Sequence, residues 1–413
     1  MKSVLCLFLC CIFSVGFVIS AHCEPLTLSE AVKRALTHAP MLDIQRLVIQ
    51  ESEGAKTDAG LLPNPVVSYT RETLRQSGLD GGEWVLSTSL PLAFLWTRGS
   101  DVRVANAQVQ SEKFTLDHLQ KEVRFQVQKT FVTYHFAREK HRVFQKASAL
   151  FQEAAQTGNI RQLEGDISVY EQHRIWLEAL HYARLEAEAQ IELNQLFRKL
   201  SFYIQWSEAD IETVLDAPME IVDLNVAIDQ AMAHRSDLQM AKTLVNAGEA
   251  SWVAAKRRGW PETEVSFAFK RQVDGFDGAV FEVGIGLPIF NRNQGKVKIA
   301  QASFERQRLT EALLQKQVQQ DVASARDRYR LYGEQIKRME QVSAPPDSVL
   351  EIAKFSYLEG ELSLVEMLDG VRAYSDAFQA RLDLLSAYHT SQFELEKAIG
   401  HPLSDLKQES QTR

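Results

Sequence analysis

The sequence predicts a mainly α-helical protein with a small β-sheet, built from one unit of helix, two short strands and helix that is written twice. Three observations predict this fold class. Matching segments recur about 196 residues apart, long stretches place apolar residues three and four apart, and short stretches between them alternate apolar and polar residues. Gly and Pro number only 20 and 11 in 413 residues, so the helices should be long.

The N-terminus has the pattern of a secretory signal, predicted over residues 1–23. Lys2 precedes an almost entirely apolar run over residues 4–19, and small and polar residues follow. An uncleaved anchor is the alternative, although the run is short for a membrane span. The four cysteines, Cys6, Cys10, Cys11 and Cys23, all fall in or beside this segment, so cleavage would leave no disulfide framework. Cys23 could instead carry a lipid, but His22 stands where a lipobox has Gly or Ala.

The formal net charge of −8 argues against nucleic acid as a partner, because a phosphate-binding surface needs clustered Lys and Arg. No catalytic motif holds together either: there is no HExxH, no GxSxG and no cysteine pair for zinc. We therefore expect no enzyme activity, no cofactor and no resident metal.

The two copies keep their features in the same order. The matching segments are 30–38 with 226–234, 67–69 with 265–267, 90–92 with 287–289, and 165–168 with 360–363. The repeat predicts a first unit over 24–200 with strands near 64–73 and 83–91 and a helical hairpin near 97–200. A linker over 201–223 precedes a second unit over 224–403 with strands near 262–271 and 279–288 and a hairpin near 293–400, and 404–413 form a polar tail.

The long helices carry seams of period 3.5, as coiled coils do. The seam of the first unit is Val123, Val127, Thr130, Tyr134, Ala137, His141 and Phe144, and that of the second is Val318, Val322, Ala325, Tyr329, Tyr332, Ile336 and Met339. The stretch 97–157 could run about 90 Å as a helix. Turns are expected at 158–165 and at 345–360, where Gly and Pro interrupt the pattern.

The strands alternate and are bounded by prolines. Val265, Phe267 and Phe269 alternate with polar or small neighbours. The junction prolines are Pro63, Pro65, Pro91, Pro261 and Pro288, which suit boundaries because proline lacks the amide hydrogen that a helix interior or a central strand needs. Four strands cannot close a barrel, so strands that span a membrane would need several chains, and three copies would supply twelve.

Several phrases resemble the TolC family of outer-membrane efflux proteins. They are the paired Leu-Pro turns, residues 26–31, residues 286–295 and the segment 360–369, and the phrase at 287–296 is most similar to the heavy-metal, CzcC-like branch. The resemblance implies a homotrimer with a twelve-stranded barrel in outer-membrane lipid and a long periplasmic helical tunnel. It also implies an inner-membrane resistance-nodulation-division (RND) pump and a periplasmic adaptor as partners.

The resemblance also implies a site. Family members constrict the periplasmic end of the tunnel with acidic residues after the second hairpin turn, which places Glu366 and Asp369 there, with Glu171 at the place equivalent to Glu366 in the first unit. Ordinary exposed helix acids are the alternative. An arginine that closes the gate in some members is replaced here by Leu362.

Adaptor contact is expected at the hairpin tips, at Gly165, Asp166, Gly360 and Glu361. The implied function is passive export of heavy-metal cations. The alternatives are the same duct in drug efflux or type I protein secretion, or a soluble periplasmic coiled-coil interaction protein.

Overall fold

The structure is a computed structural model that describes residues 26–76, 79–205, 213–214, 221, 223–341 and 347–404. The predicted signal segment with its cysteines, most of the polar tail, and Pro345 and Pro346 lie outside the described residues.

Each copy of the unit consists of two short helices, a strand pair and a long hairpin. The first copy comprises α1 (Leu28–His38), α2 (Pro40–Gly60), β2 (Val66–Gln76), β3 (Leu79–Pro91), α3 (Phe94–Glu164) and α4 (Val169–Ile204). The second comprises α5 (Leu224–His234), α6 (Ser236–Arg257), β5 (Glu262–Gln272), β6 (Asp277–Gly286), α7 (Gln294–Glu340), α8 (Asp347–Leu358) and α9 (Leu364–Ile399). The short strands β1 (Leu26–Thr27) and β4 (Thr213–Val214) pair in parallel. The mainly α fold class is thereby confirmed.

Polar side chains set where the short helices begin. Thr27 precedes α1 and accepts a hydrogen bond from the Glu30 amide at 3.2 Å, and Asp223 precedes α5 and accepts from the Asn225 amide at 2.8 Å. Pro40 occupies the first turn of α2, where no amide hydrogen is needed.

Both predicted turn regions are wrong in their extent. Gly158 was expected in a turn, but α3 continues to Glu164, and Gly158 is buried where a β-carbon would lie 3.2 Å from Cδ1 of Ile175. The stretch 345–360 was expected to be a turn, but residues 347–358 form α8. The prediction took glycine and proline as signs of turns, but Gly158 is accommodated inside α3, and α8 begins directly after Pro345 and Pro346.

The predicted seams lie in the core. Every seam residue of α3 is buried except the half-buried His141, and in α7 only Tyr332 and Met339 are half-buried. Two clusters repeat the same packing, one among α1, α3 and α4 and one among α5, α7 and α9. A third cluster joins α3, α4, α8 and α9 near the hairpin ends and includes Phe151 stacked on Tyr182.

The four long strands form one antiparallel sheet in the order β2-β3-β5-β6. The pairing of β3 with β5 joins the two copies of the unit, and it aligns Leu90 with Val265. Within the described part of the chain β2 and β6 are the free edges. None of the described helices is both long and apolar enough to cross a membrane.

Candidate functional site

The two hairpin tips have the same turn. At the first tip Gly165 adopts φ 85°, and the Asp166 amide donates to the Arg161 carbonyl at 2.8 Å. At the second tip Gly360 adopts φ 78°, and the Glu361 amide donates to the Ser356 carbonyl at 2.8 Å. This left-handed backbone favours glycine and stops each helix, so the four residues predicted for adaptor contact all lie in these turns.

The helices that leave the tips begin with capping boxes. The Ser363 hydroxyl accepts from the Glu366 amide at 3.3 Å, and the Glu366 carboxylate accepts from the Ser363 amide at 2.9 Å. Ser168 and Glu171 repeat the arrangement, at 3.1 and 2.8 Å. The sequence Ser-x-x-Glu carried this signal in both units, and it explains two of the three predicted constriction acids as helix-starting residues.

The capping contacts keep these carboxylates charged. Hydrogen bonds from the Ser363 backbone and side chain lower the pKa of Glu366 below its ordinary value, and those from Ser168 lower the pKa of Glu171. The Glu366 side chain is exposed, and the Glu171 side chain is half-buried. Each tip therefore carries a fixed negative charge at neutral pH.

Asp369 is the acid that local structure does not explain. It is exposed on α9 one turn beyond Glu366, so the structure brings these two carboxylates to one face of the helix. Glu171 lies on α4, in the other hairpin. Leu362, at the place of the family's arginine, is half-buried.

Charged contacts between the two hairpins were missed by sequence reasoning. Lys354 of α8 pairs with Glu153 of α3 at 2.7 Å, and the Arg161 guanidinium lies 5.6 Å from the ring centroid of Tyr357. Further along, Arg372 of α9 pairs with the buried carboxylate of Glu178 on α4. The partners are some two hundred residues apart in the sequence, and no local pattern links them.

The sheet has one apolar and one polar face. Registered neighbours on the apolar face include Leu86 with Phe269 and Phe267 with Phe281, and Trp84 lies 6.3 Å from Tyr69 and 5.6 Å from Phe269 between ring centroids. The apolar side chains are largely exposed: Val67, Tyr69, Leu86, Phe267, Phe281, Val283 and Ile285 range from 46% to 70%. Nothing in the described chain covers this face.

The opposite face carries hydroxyls and charges. Ser68 aligns with Ser87, Ser266 aligns with Glu282, and Lys270 pairs with Glu83 across β3 and β5. Alternation therefore separates a mainly apolar surface from a mainly polar one. Exceptions lie towards the hairpin turns, where Arg71 and Arg271 flank Trp84 on the apolar face and Val85 aligns with Lys270 on the polar face.

The predicted junction prolines lie at the ends of the strands. Pro63 and Pro65 fall between α2 and β2, Pro91 is the last residue of β3, Pro261 precedes β5, and Pro288 follows β6. Among the described residues no group of three or more His, Cys, Asp or Glu is placed to hold a metal ion.

Comparison with known proteins agrees with this geometry. Residues 227–401 match the family model described as outer membrane efflux protein. The chain is 23% identical over 377 residues to the cobalt-zinc-cadmium resistance protein CzcC of Cupriavidus metallidurans, covering 87% of this chain and 86% of that protein.

Solved channel structures share the fold. The Campylobacter jejuni CmeC outer membrane channel matches with a TM-score of 0.76 and 15% identity, over 93% of this chain and 89% of that one. CusC, described in terms of transmembrane channel formation, matches with a TM-score of 0.73 and 17% identity, over 91% and 92%. The resemblance to the TolC family is thus confirmed: the second copy of the unit matches the outer membrane efflux protein model, and the chain has the TolC-like fold.

Proposed function

We propose that this chain is the outer-membrane channel of a tripartite efflux system, and that three copies form a duct through which heavy-metal cations leave the cell. The observation that carries the proposal is the four-stranded sheet with one uncovered apolar face, two free edges and long helical hairpins. An edge facing lipid would leave backbone amides without partners, so the sheet has to pair with sheets of other copies. Three copies supply twelve strands, an even number that can close.

The nature of the cargo rests on the likeness to CzcC, a protein named for cobalt, zinc and cadmium resistance. A passive duct needs no tight metal site, since a permeating ion must also leave. Energy would come from an inner-membrane RND pump, and a periplasmic adaptor would contact the hairpin tips at Gly165, Asp166, Gly360 and Glu361.

The proposed constriction is formed by Glu366 and Asp369, which in a trimer would give two rings of three carboxylates. Their exposure and the lowered pKa of Glu366 support a permanent negative charge at this end of the duct. Such rings attract cations and disfavour anions. Glu171 belongs to the neighbouring hairpin tip, and its carboxylate would add to the negative electrostatic potential of these rings.

Location and assembly are tested by membrane fractionation and gel electrophoresis without boiling. We expect an outer-membrane trimer. A soluble monomer would refute the channel and favour the alternative of a periplasmic coiled-coil interaction protein.

The constriction is tested with the double variant Glu366→Gln with Asp369→Asn, which removes charge but leaves a glutamine that can still complete the capping box. Single-channel recordings in a salt gradient should show lower cation selectivity. The variant Glu51→Gln with Asp58→Asn, two exposed acids of α2, is the control. An unchanged reversal potential in the first variant excludes these residues from the constriction.

Deletion of the gene tests the cargo. We expect sensitivity to divalent metals such as zinc, cobalt or cadmium. Sensitivity to drugs alone, or loss of a secreted protein, would assign the duct to one of the two alternative cargoes.

A further inference from the structure

A basic band lies where the sheet meets the helices. Segments 93–103, 256–261 and 287–298, here called the junction collar, contain eight Lys and Arg residues and a single acid, although the whole chain has a net charge of −8. The basic residues are Arg98, Arg103, Lys256, Arg257, Arg258, Arg292, Lys296 and Lys298. The acid, Asp101, is already paired with Arg258 at 2.6 Å.

Side-chain contacts hold the three segments together. Arg257 donates to the Trp96 carbonyl at 3.2 Å, and the rings of Trp96 and Trp260 lie 6.4 Å apart. The Asn293 side chain donates to the Ala255 carbonyl at 2.7 Å. The collar is therefore one surface assembled from both copies of the unit.

The collar also exposes large apolar side chains. The exposed fractions are 66% for Leu95, 58% for Trp260, 68% for Leu287, 61% for Ile289 and 91% for Phe290. Leu287 follows the last paired residue of β6, Gly286, and lies two positions beyond Ile285 of the apolar face, so exposed apolar side chains extend along the chain from the sheet into the collar. The collar thus places exposed apolar side chains and cationic side chains next to each other.

We propose that the junction collar binds the headgroup layer of the inner-leaflet phospholipids of the outer membrane, with a preference for anionic headgroups. This inference rests on the proposed function, which puts the sheet in the membrane and the helices in the periplasm. Aromatic rings favour the boundary between hydrocarbon and water. Lys and Arg beside them place their charge at the level of the lipid phosphates.

The cations best placed for this role are Arg292, Lys296 and Lys298. All three are exposed, and none forms an ion pair with another described residue. A soluble phosphate or a nucleic acid would complement the positive charge of the collar but not its exposed apolar side chains. The continuity with the apolar face favours a lipid, which offers phosphate and hydrocarbon at the same boundary.

The test uses two double variants. The collar variant carries Lys296→Glu and Lys298→Glu, and the control variant carries Lys337→Glu and Arg338→Glu. All four residues are exposed and lie on α7, at opposite ends. The purified full-length protein in detergent is titrated with phosphatidylglycerol or phosphatidylethanolamine, and bound lipids are counted by native mass spectrometry. Arg292→Gln serves as a milder second variant.

We expect the wild type to retain phosphatidylglycerol in preference to phosphatidylethanolamine, and the preference to weaken as salt is raised. The collar variant should bind phosphatidylglycerol roughly tenfold more weakly. The control should bind as the wild type does, and inorganic phosphate should not displace the lipid.

Equal lipid binding by the collar variant and the wild type would overturn the inference, as would displacement by inorganic phosphate. Fractionation of the same cells separates this failure from that of the proposed function. If the protein is an outer-membrane trimer without a headgroup preference, only the lipid-binding role of the collar is refuted. If the wild-type protein is soluble, the proposed channel function is refuted.

Discussion

Arg235 connects three parts of the second unit through one guanidinium. It donates to Asp237 at 3.1 and 2.7 Å and to Asp321 of α7 at 3.0 Å, and its side chain is only 15% exposed. Burial raises the pKa of Asp237, but the hydrogen bonds and charge of Arg235 outweigh it and bring that pKa below its ordinary value. The pair is therefore charged and largely shielded from water.

Arg235→Ala is predicted to lower the free energy of unfolding by roughly 3 kcal/mol, because it leaves a shielded carboxylate without its cation. Denaturant titration followed by circular dichroism measures this. The matched control is Arg184→Ala, which breaks the exposed pair with Glu188 and should cost about 0.5 kcal/mol or less. Equal losses of unfolding free energy in the two variants would contradict the description of Arg235 and Asp237 as a shielded, charged pair.

Glu396 is a half-buried carboxyl near the end of α9. Burial raises its pKa above the ordinary value of 4.5, against hydrogen bonds from Leu403, Gln392 and Gln128. A carboxyl whose pKa is higher in the folded state stabilises the fold fully at pH values below its unfolded pKa. This contribution to stability is lost as the pH rises through the folded pKa.

Glu396→Gln should therefore melt at a higher temperature than the wild type near pH 7.5, while the two should coincide near about pH 4, where the wild-type carboxyl is protonated. Thermal melts across this range measure the effect. A difference that does not change with pH would mean that the carboxyl does not titrate as described.

At the scale of elements, left-handed glycines decide where helices stop. Gly165 and Gly400 both end helices, at φ 85° and 80°. A β-carbon on Gly165 would meet nothing within 4 Å, whereas one on Gly400 would lie 3.2 Å from Cα of Arg235. A substitution at Gly165 therefore tests backbone strain alone, and one at Gly400 tests backbone strain together with steric crowding.

Gly165→Ala is predicted to cost about 1 kcal/mol for its left-handed backbone. Gly400→Ala should cost at least about 2 kcal/mol, because backbone also has to move. Equilibrium unfolding of the two variants checks the order. A larger loss at Gly165 would show that the tip is more constrained than its open surroundings indicate.

At the scale of the whole molecule, apolar helix faces lack partners within the described chain. On α4, Trp176, Leu177 and Leu180 are 57% to 60% exposed, and on α7, Ile299, Leu309 and Leu313 are 57% to 70% exposed. Exposed apolar faces of this kind mark surfaces for association, which fits contact with other copies in the proposed trimer.

Leu177→Glu with Leu180→Glu should convert the proposed trimer to monomer on gels run without boiling, because charges would replace apolar contact between copies. The control is Gln195→Glu with Lys199→Glu, at exposed polar positions of the same helix. Circular dichroism should show unchanged helix content in both. A trimer that survives the first variant would place the interface elsewhere.

The amino-acid sequence alone carries the duplicated unit, the helix seams, the alternating strands and the serine and glycine signals at the hairpin tips. The duplication follows from matching segments about 196 residues apart, and the other features follow from spacings of two to four residues, which local geometry fixes. Packing between elements was needed to show that Asp369 lies exposed on α9, that Gly158 is a packing position, and that β3 joins β5. It also decided the contacts of Glu153 with Lys354 and of Glu178 with Arg372, because residues so far apart meet only when packing has set the neighbours of each helix.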